Sequence, residues 1–220
     1  MARPASDVAI CNLALDLLKE KPISALTGDN LTDTEALCAR WYDTLRQATL
    51  EAYNWNFALV SAEIPRGGAP DEDDSDYTDY YTFPNDFLKL RAILDPEVPL
   101  GRREFEIQGR NLFFNNGEEE ALLVWYTADI TNITKWPALF IELFALVLAN
   151  KLGKRLTARP AILKDIKEDL IEARRLARAV DGQVRPPKRY ESSKIVSAGL
   201  SPSSNRTVAG AYEFPDGMDD

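Results

Sequence analysis

The stretch Arg40–Phe57, RWYDTLRQATLEAYNWNF, begins as an amphipathic helix and ends in an aromatic run that no helix continues through. Leu37, Trp41, Leu45 and Ala48 recur at spacings of three or four residues, which places them on one helical face. Arg40, Asp43, Arg46, Gln47 and Glu51 are expected to point elsewhere. Tyr53, Trp55 and Phe57 then alternate with Asn54 and Asn56, and the period drops from about 3.6 to about 2. A chain that changes period here leaves a helical layer and enters a sheet.

Before this stretch the pattern is helical. Ser6 suits an N-cap, Asp7 suits the positive end of the helix dipole, and Val8, Ile10, Leu13, Ala14, Leu17 and Leu18 supply a buried face. Lys19, Lys21 and Pro22 end that helix. A loop with a Gly28-Asp29-Asn30 turn leads to Thr32 or Asp33 as the next cap, with Glu35 in the first turn. The two helices form an antiparallel hairpin.

After Phe57 the pattern is that of strands. FALVSAEI (57–64) reads as a strand closed by Pro65. Asp71–Asp76 is a run of acids that repels itself, so an exposed mobile loop is expected; a calcium loop would need a glycine and a closing glutamate that are missing. Tyr77, Tyr80, Tyr81 and Phe83 mark the next strand, Leu88–Leu94 another, and Ala121–Ala128 the last. Phe105 and Ile107 face Leu112 and Phe113 across Gly109-Arg110, the spacing of a hairpin. Further turns are expected at Asp95-Pro96 and Asn115-Asn116-Gly117. Five or so consecutive strands suggest an antiparallel sheet or small barrel.

The helices then resume. Pro137 fits a first turn, and Ala138–Leu152 carries Glu142 as its sole charge before Lys151, so it belongs at the centre of a bundle. Pro160 opens another helix with Ile162, Ile166, Leu170, Ala173 and Ala177 on its buried side. Lys164, Lys167, Arg174, Arg175 and Arg178 decorate its exposed side, mixed with acids, which suits a solvated helix or an ion-paired contact between subunits. From Gly182 onward prolines and serines dominate, so 182–220 reads as an extended tail. Its scattered anchors Tyr190, Ile195, Val196, Leu200, Tyr212 and Phe214 suit docking along a partner's surface. The fold class is therefore α+β. A helical hairpin (1–56) and two later helices (133–181) make a bundle, with a β insertion (57–132) between them and the tail behind.

Composition narrows the chemistry. The chain has 220 residues, no histidine and two cysteines, so histidine-based triads and a structural zinc site are not expected. Cys11 and Cys38 lie among apolar residues and read as buried thiols. No phosphate-binding glycine loop, G-x-S-x-G or C-x-x-C occurs, so neither cofactor nor metal is expected. The net charge of −9 disfavours a tight grip on DNA phosphates but is compatible with DNA passing an opening without sticking. The 35 acidic residues leave open a carbohydrate hydrolase with paired carboxylates, although solvated acids are the ordinary outcome. No apolar run reaches membrane-spanning length and MARPASD is not a signal peptide, so a cytosolic chain is expected, with no membrane partner.

Several of these features occur together in an order that resembles a known family. They are Ile10-Cys11-Asn12-Leu13-Ala14-Leu15, Pro22-Ile23, Cys38-Ala39-Arg40-Trp41-Tyr42-Asp43 ahead of Arg46, and Trp55-Asn56-Phe57-Ala58. Pro84-Asn85-Asp86-Phe87-Leu88 follows a Tyr-rich strand, and Trp136-Pro137 opens the apolar helix. Over roughly 6–180 this resembles the tail tubular protein A family, the head-to-tail adaptors of short-tailed bacteriophages. The resemblance implies a structural protein of the virion neck, assembled in the host cytoplasm and not an enzyme. It implies a homo-oligomeric ring, a dodecamer, beneath the portal protein. Below that ring lie the tail nozzle (tail tubular protein B) and tail fibres, and genome DNA passes through its lumen. A hydrolase and a DNA-binding module using Lys164, Lys167, Arg174, Arg175 and Arg178 stand as alternatives.

Overall fold

The computed structural model describes residues 4, 6–70, 77–94, 104–115, 120–157 and 159–184. The acidic run 71–76, the turns expected near Asp95 and Gly117, and the chain from Arg185 onward fall outside that set.

Among the described residues there are four α-helices and a curled, six-stranded antiparallel sheet, so the fold class is α+β. Helix α1 spans Asp7–Leu18, with the Ser6 hydroxyl accepting from the Ala9 N–H and Lys19 ending it in a left-handed conformation. Helix α2 spans Asp33–Glu51 and opens on a full capping box: Thr32 accepts from the Glu35 N–H, and Glu35 accepts from the Thr32 N–H. After α2 the chain runs through the aromatic stretch, a 3-10 turn at Asn56–Ala58, and strand β1 (Leu59–Gly68). Strands β2 (Tyr80–Thr82), β3 (Phe87–Ile93), β4 (Glu106–Gln108), β5 (Asn111–Phe113) and β6 (Ala121–Ala128) complete the sheet. A 3-10 turn (Ile133–Lys135) leads into α3 (Ala138–Leu156) and α4 (Pro160–Val184).

The strand order is β3-β6-β1-β2-β5-β4. Strand β1 belongs to both halves of the sheet: Leu59–Pro65 pair with β6, and Arg66 and Gly68 pair with β2. This corrects the expectation that Pro65 closes the strand. The Arg66 N–H donates to the Glu120 carbonyl at 2.8 Å, so the missing N–H of Pro65 faces the other edge, where β2 has not yet begun to pair. Gly67 is required at this changeover because a Cβ there would stand 2.0 Å from the Tyr80 ring. The Gly109 turn joins β4 to β5 with φ +59, the hairpin expected from the spacing.

Two cores result. The sheet buries Ile64, Tyr81, Phe83, Leu112, Leu122, Val124 and Tyr126 on one side. The bundle gathers Ile10, Leu15, Cys38, Tyr42 and Leu50 around Phe140, Phe144 and Leu148 of α3. Helix α3 packs against α1, α2 and α4, the central position that its nearly all-apolar surface demands. On β6, burial alternates along the first four residues, but Tyr126, Thr127 and Ala128 are all buried. Just past that end, Asp129 meets Arg46 of α2.

The aromatic stretch lies at the junction of helices and sheet. Trp55 meets Tyr53 and Phe140 edge-on, Phe57 meets Phe140, and Trp136 meets both Phe140 and Phe144. Each buried indole N–H has a partner: Trp55 donates to the Thr49 carbonyl at 2.9 Å and Trp136 to the Ile130 carbonyl at 2.8 Å.

Candidate partner-binding surfaces

Helix α4 carries the basic residues singled out in the sequence. Ile166, Leu170 and Ala177 bury one side against the bundle. Lys164, Lys167, Ile171, Arg174 and Arg178 recur three or four residues apart on another side, forming one stripe with Arg175 at its margin. Two of these cations are met by acids of the same helix: Lys164 by Glu168 at 3.7 Å, and Arg175 by Glu172 at 2.6 Å. Lys167 and Arg174 have no ion-pair partner among the described residues. Arg178 lies 5.0 Å from the centre of the Tyr53 ring, a cation–π contact that ties the stripe to the junction. Ile171, in the middle of the stripe, is 68% exposed.

The other flank of α4 borders a groove of about 880 Å³ between α1, α3 and α4. Leu13, Leu17, Ile141 and Leu176 give it an apolar floor, while Glu142, Asp169 and Glu172 line it with acid. Leu13 and Leu17 were expected in the core, yet both are more than a third exposed because they face this groove. Periodicity finds an apolar face; it does not reveal whether the neighbouring helices close over it.

Several charged residues form internal clamps. Arg46, expected to point away from the buried face, is instead buried, and it grips Asp129 through Nε at 2.8 Å and Nη2 at 2.9 Å. Gln47 adds a third hydrogen bond to Asp129 at 2.9 Å, and Asp43 pairs with Arg46. Correspondingly Ala48, placed on the buried face by its spacing, is exposed; the buried side of α2 runs through Cys38, Tyr42, Arg46 and Thr49. Burial works against the charge of Asp129, but the bonds from Arg46 and Gln47 hold its carboxyl below the ordinary range. Glu35 is pulled down to about 2 by the N–H and hydroxyl of Thr32, then by those of Ser24.

Asp181 joins the far end of α4 to the aromatic junction. Its carboxylate accepts from the Asn56 N–H at 2.8 Å, and its carbonyl accepts from the Asn56 side chain at 2.7 Å. Burial dominates and pushes its pKa up, with the Asn56 hydrogen bonds opposing. The helix therefore runs to Val184, past the expected start of the tail at Gly182. Asp79, fully buried, is held by Arg66 and Thr78. The buried acids Glu35, Asp79 and Asp181 are thus engaged in structural hydrogen bonds.

The tail anchors Tyr190, Ile195, Val196, Leu200, Tyr212 and Phe214 lie outside the described residues. Cys11 and Cys38 are both buried free thiols, and the Cys38 sulfur, then burial, push the Cys11 thiol up. Among the described residues no group of three acids or cysteines is placed to hold a metal ion, and no helix is long and apolar enough to cross a membrane. No protein-family model matches the chain, and no curated protein matches it.

Proposed function

We propose that the chain is a structural head-to-tail adaptor of a short-tailed bacteriophage: one subunit of a ring, a dodecamer, between the portal and the tail nozzle of the virion. The observation that carries this reading is the bundle interrupted by a sheet, with motifs in the order described above and both crossings locked. The outgoing crossing is held by Trp55, Asn56 and Asp181, and the returning one by Asp129, Ile130 and Trp136. A ring subunit must present two different surfaces at a fixed angle, and a locked junction supplies that rigidity. The net charge of −9 suits a lumen through which DNA moves without being held. In this reading the chain beyond Val184 docks on the portal.

The test is to mix this chain with the portal protein of a short-tailed bacteriophage and to measure the mass and image of the product. A ring of adaptor on portal is expected. Absence of any complex, together with turnover of cell-wall glycans or steeply salt-dependent binding to duplex DNA, would replace this reading with the hydrolase or the DNA-binding alternative.

A further inference from the structure

Helix α4 separates two surfaces that complement each other. The groove offers an apolar floor at Leu13, Leu17 and Leu176, with Glu142 and Asp169 unpaired among the described residues. The stripe offers the reverse: Ile171 projects to solvent between Lys167 and Arg174, which likewise have no ion-pair partner there. The exposed apolar surface of each is costly to leave in water, and their charges are opposite in sign, so each offers what the other lacks.

We propose that the occupant of the groove is a second copy of this chain. Ile171 of one copy enters the neighbour's groove against Leu13, Leu17 and Leu176, and Lys167 and Arg174 face Glu142 and Asp169. The contact joins two different surfaces, so it is heterologous, and repeating it gives a closed ring or an open filament. It deepens the ring reading and rests on it for closure. The contact itself follows from the two surfaces.

Cysteine trapping tests it directly, because Cys11 and Cys38 are buried and leave an introduced pair free to react. The doubly substituted chain Leu17→Cys/Ile171→Cys should give a ladder of disulfide-linked multimers under mild oxidation. Each single variant alone should stay uncrosslinked, because its cysteine faces Ile171 or Leu17 of the neighbour, whereas the two single variants mixed should stop at a dimer. In the second arm, Leu17→Glu and Ile171→Glu should each weaken self-association about tenfold or more. Mixed together they should form a dimer, since one intact groove and one intact knob remain between them.

A double-cysteine chain without a ladder overturns the proposal, as does a single-cysteine variant that crosslinks to itself as readily as the double variant does. Glutamate variants that associate like the wild type also overturn it. A ladder without any portal complex would defeat the adaptor reading and leave the contact standing. Wild-type behaviour of both glutamate variants within a portal ring would do the reverse.

Discussion

Arg46 of α2 and Asp129, just beyond β6, form a two-pronged ion pair at 2.8 and 2.9 Å that ties the helical hairpin to the last strand of the sheet. Both side chains are largely buried, at 9% and 13% exposure, so removing one partner strands the other away from water. Arg46→Ala should cost about 3–5 kcal/mol in urea unfolding, by the usual penalty for breaking a buried pair. Replacing both residues with apolar ones should recover much of that loss. A cost below about 1 kcal/mol for the single change would place this pair with surface ion pairs.

Acid should loosen the start of α2. The folded pKa of Glu35 lies at about 2, below the unfolded value near 4.3, so its contribution is complete above the unfolded value and is lost as pH falls toward 2. Asp129 is shifted in the same direction. Asp181, shifted upward, contributes with the opposite sign: its share is present at low pH and is lost as pH rises through its folded pKa. Urea midpoints measured between pH 5 and 2 should therefore fall, and Glu35→Gln should flatten part of that fall.

Asn56 and Asp181 give a second test of the junction. Asp181→Ala would leave the Asn56 N–H without its carboxylate acceptor, and should cost about 1–3 kcal/mol. The same change should increase hydrogen exchange at Asn56 and along the last turn of α4, while exchange in the sheet stays as it was.

Gly153 sits where α3 packs closely against α1 and α4. A methyl group there would stand 2.6 Å from Leu163 Cδ2 and 2.7 Å from Leu18 Cδ2. Alanine gains about 1 kcal/mol of helix propensity over glycine, but overpacking costs about 1–3 kcal/mol. Gly153→Ala should therefore destabilise on balance in thermal unfolding. Combining it with Leu163→Val should cost less than the sum of the two single changes.

Elements with a strong local signal were legible in the sequence. Ser6, Thr32, Pro137 and Pro160 mark helix starts because capping and proline geometry depend on a few neighbouring residues. Strand β6 is found at its expected bounds, Ala121–Ala128, and the Gly109 hairpin where its spacing put it. Arg46 was misjudged because a lone arginine on α2 carries no sign that a carboxylate 83 residues later will meet it. Pro65 was misjudged because its effect depends on which edge of β1 is paired at that point. The groove was missed for a related reason: Leu13 and Leu17 have the spacing of core residues, and only the arrangement of α3 and α4 leaves them uncovered.

The position of the sheet between α2 and α3 also sets an order in time. Helices α1 and α2 leave the ribosome first, but α3, which supplies the centre of their core, is synthesised after β6. All six described strands emerge before α3, so the sheet has its described strand partners before α3 covers the hairpin. Until α3 emerges, Ile10, Leu15 and Tyr42 lack the surface that covers them. The nascent N-terminal hairpin is then the form of this protein that most needs a chaperone.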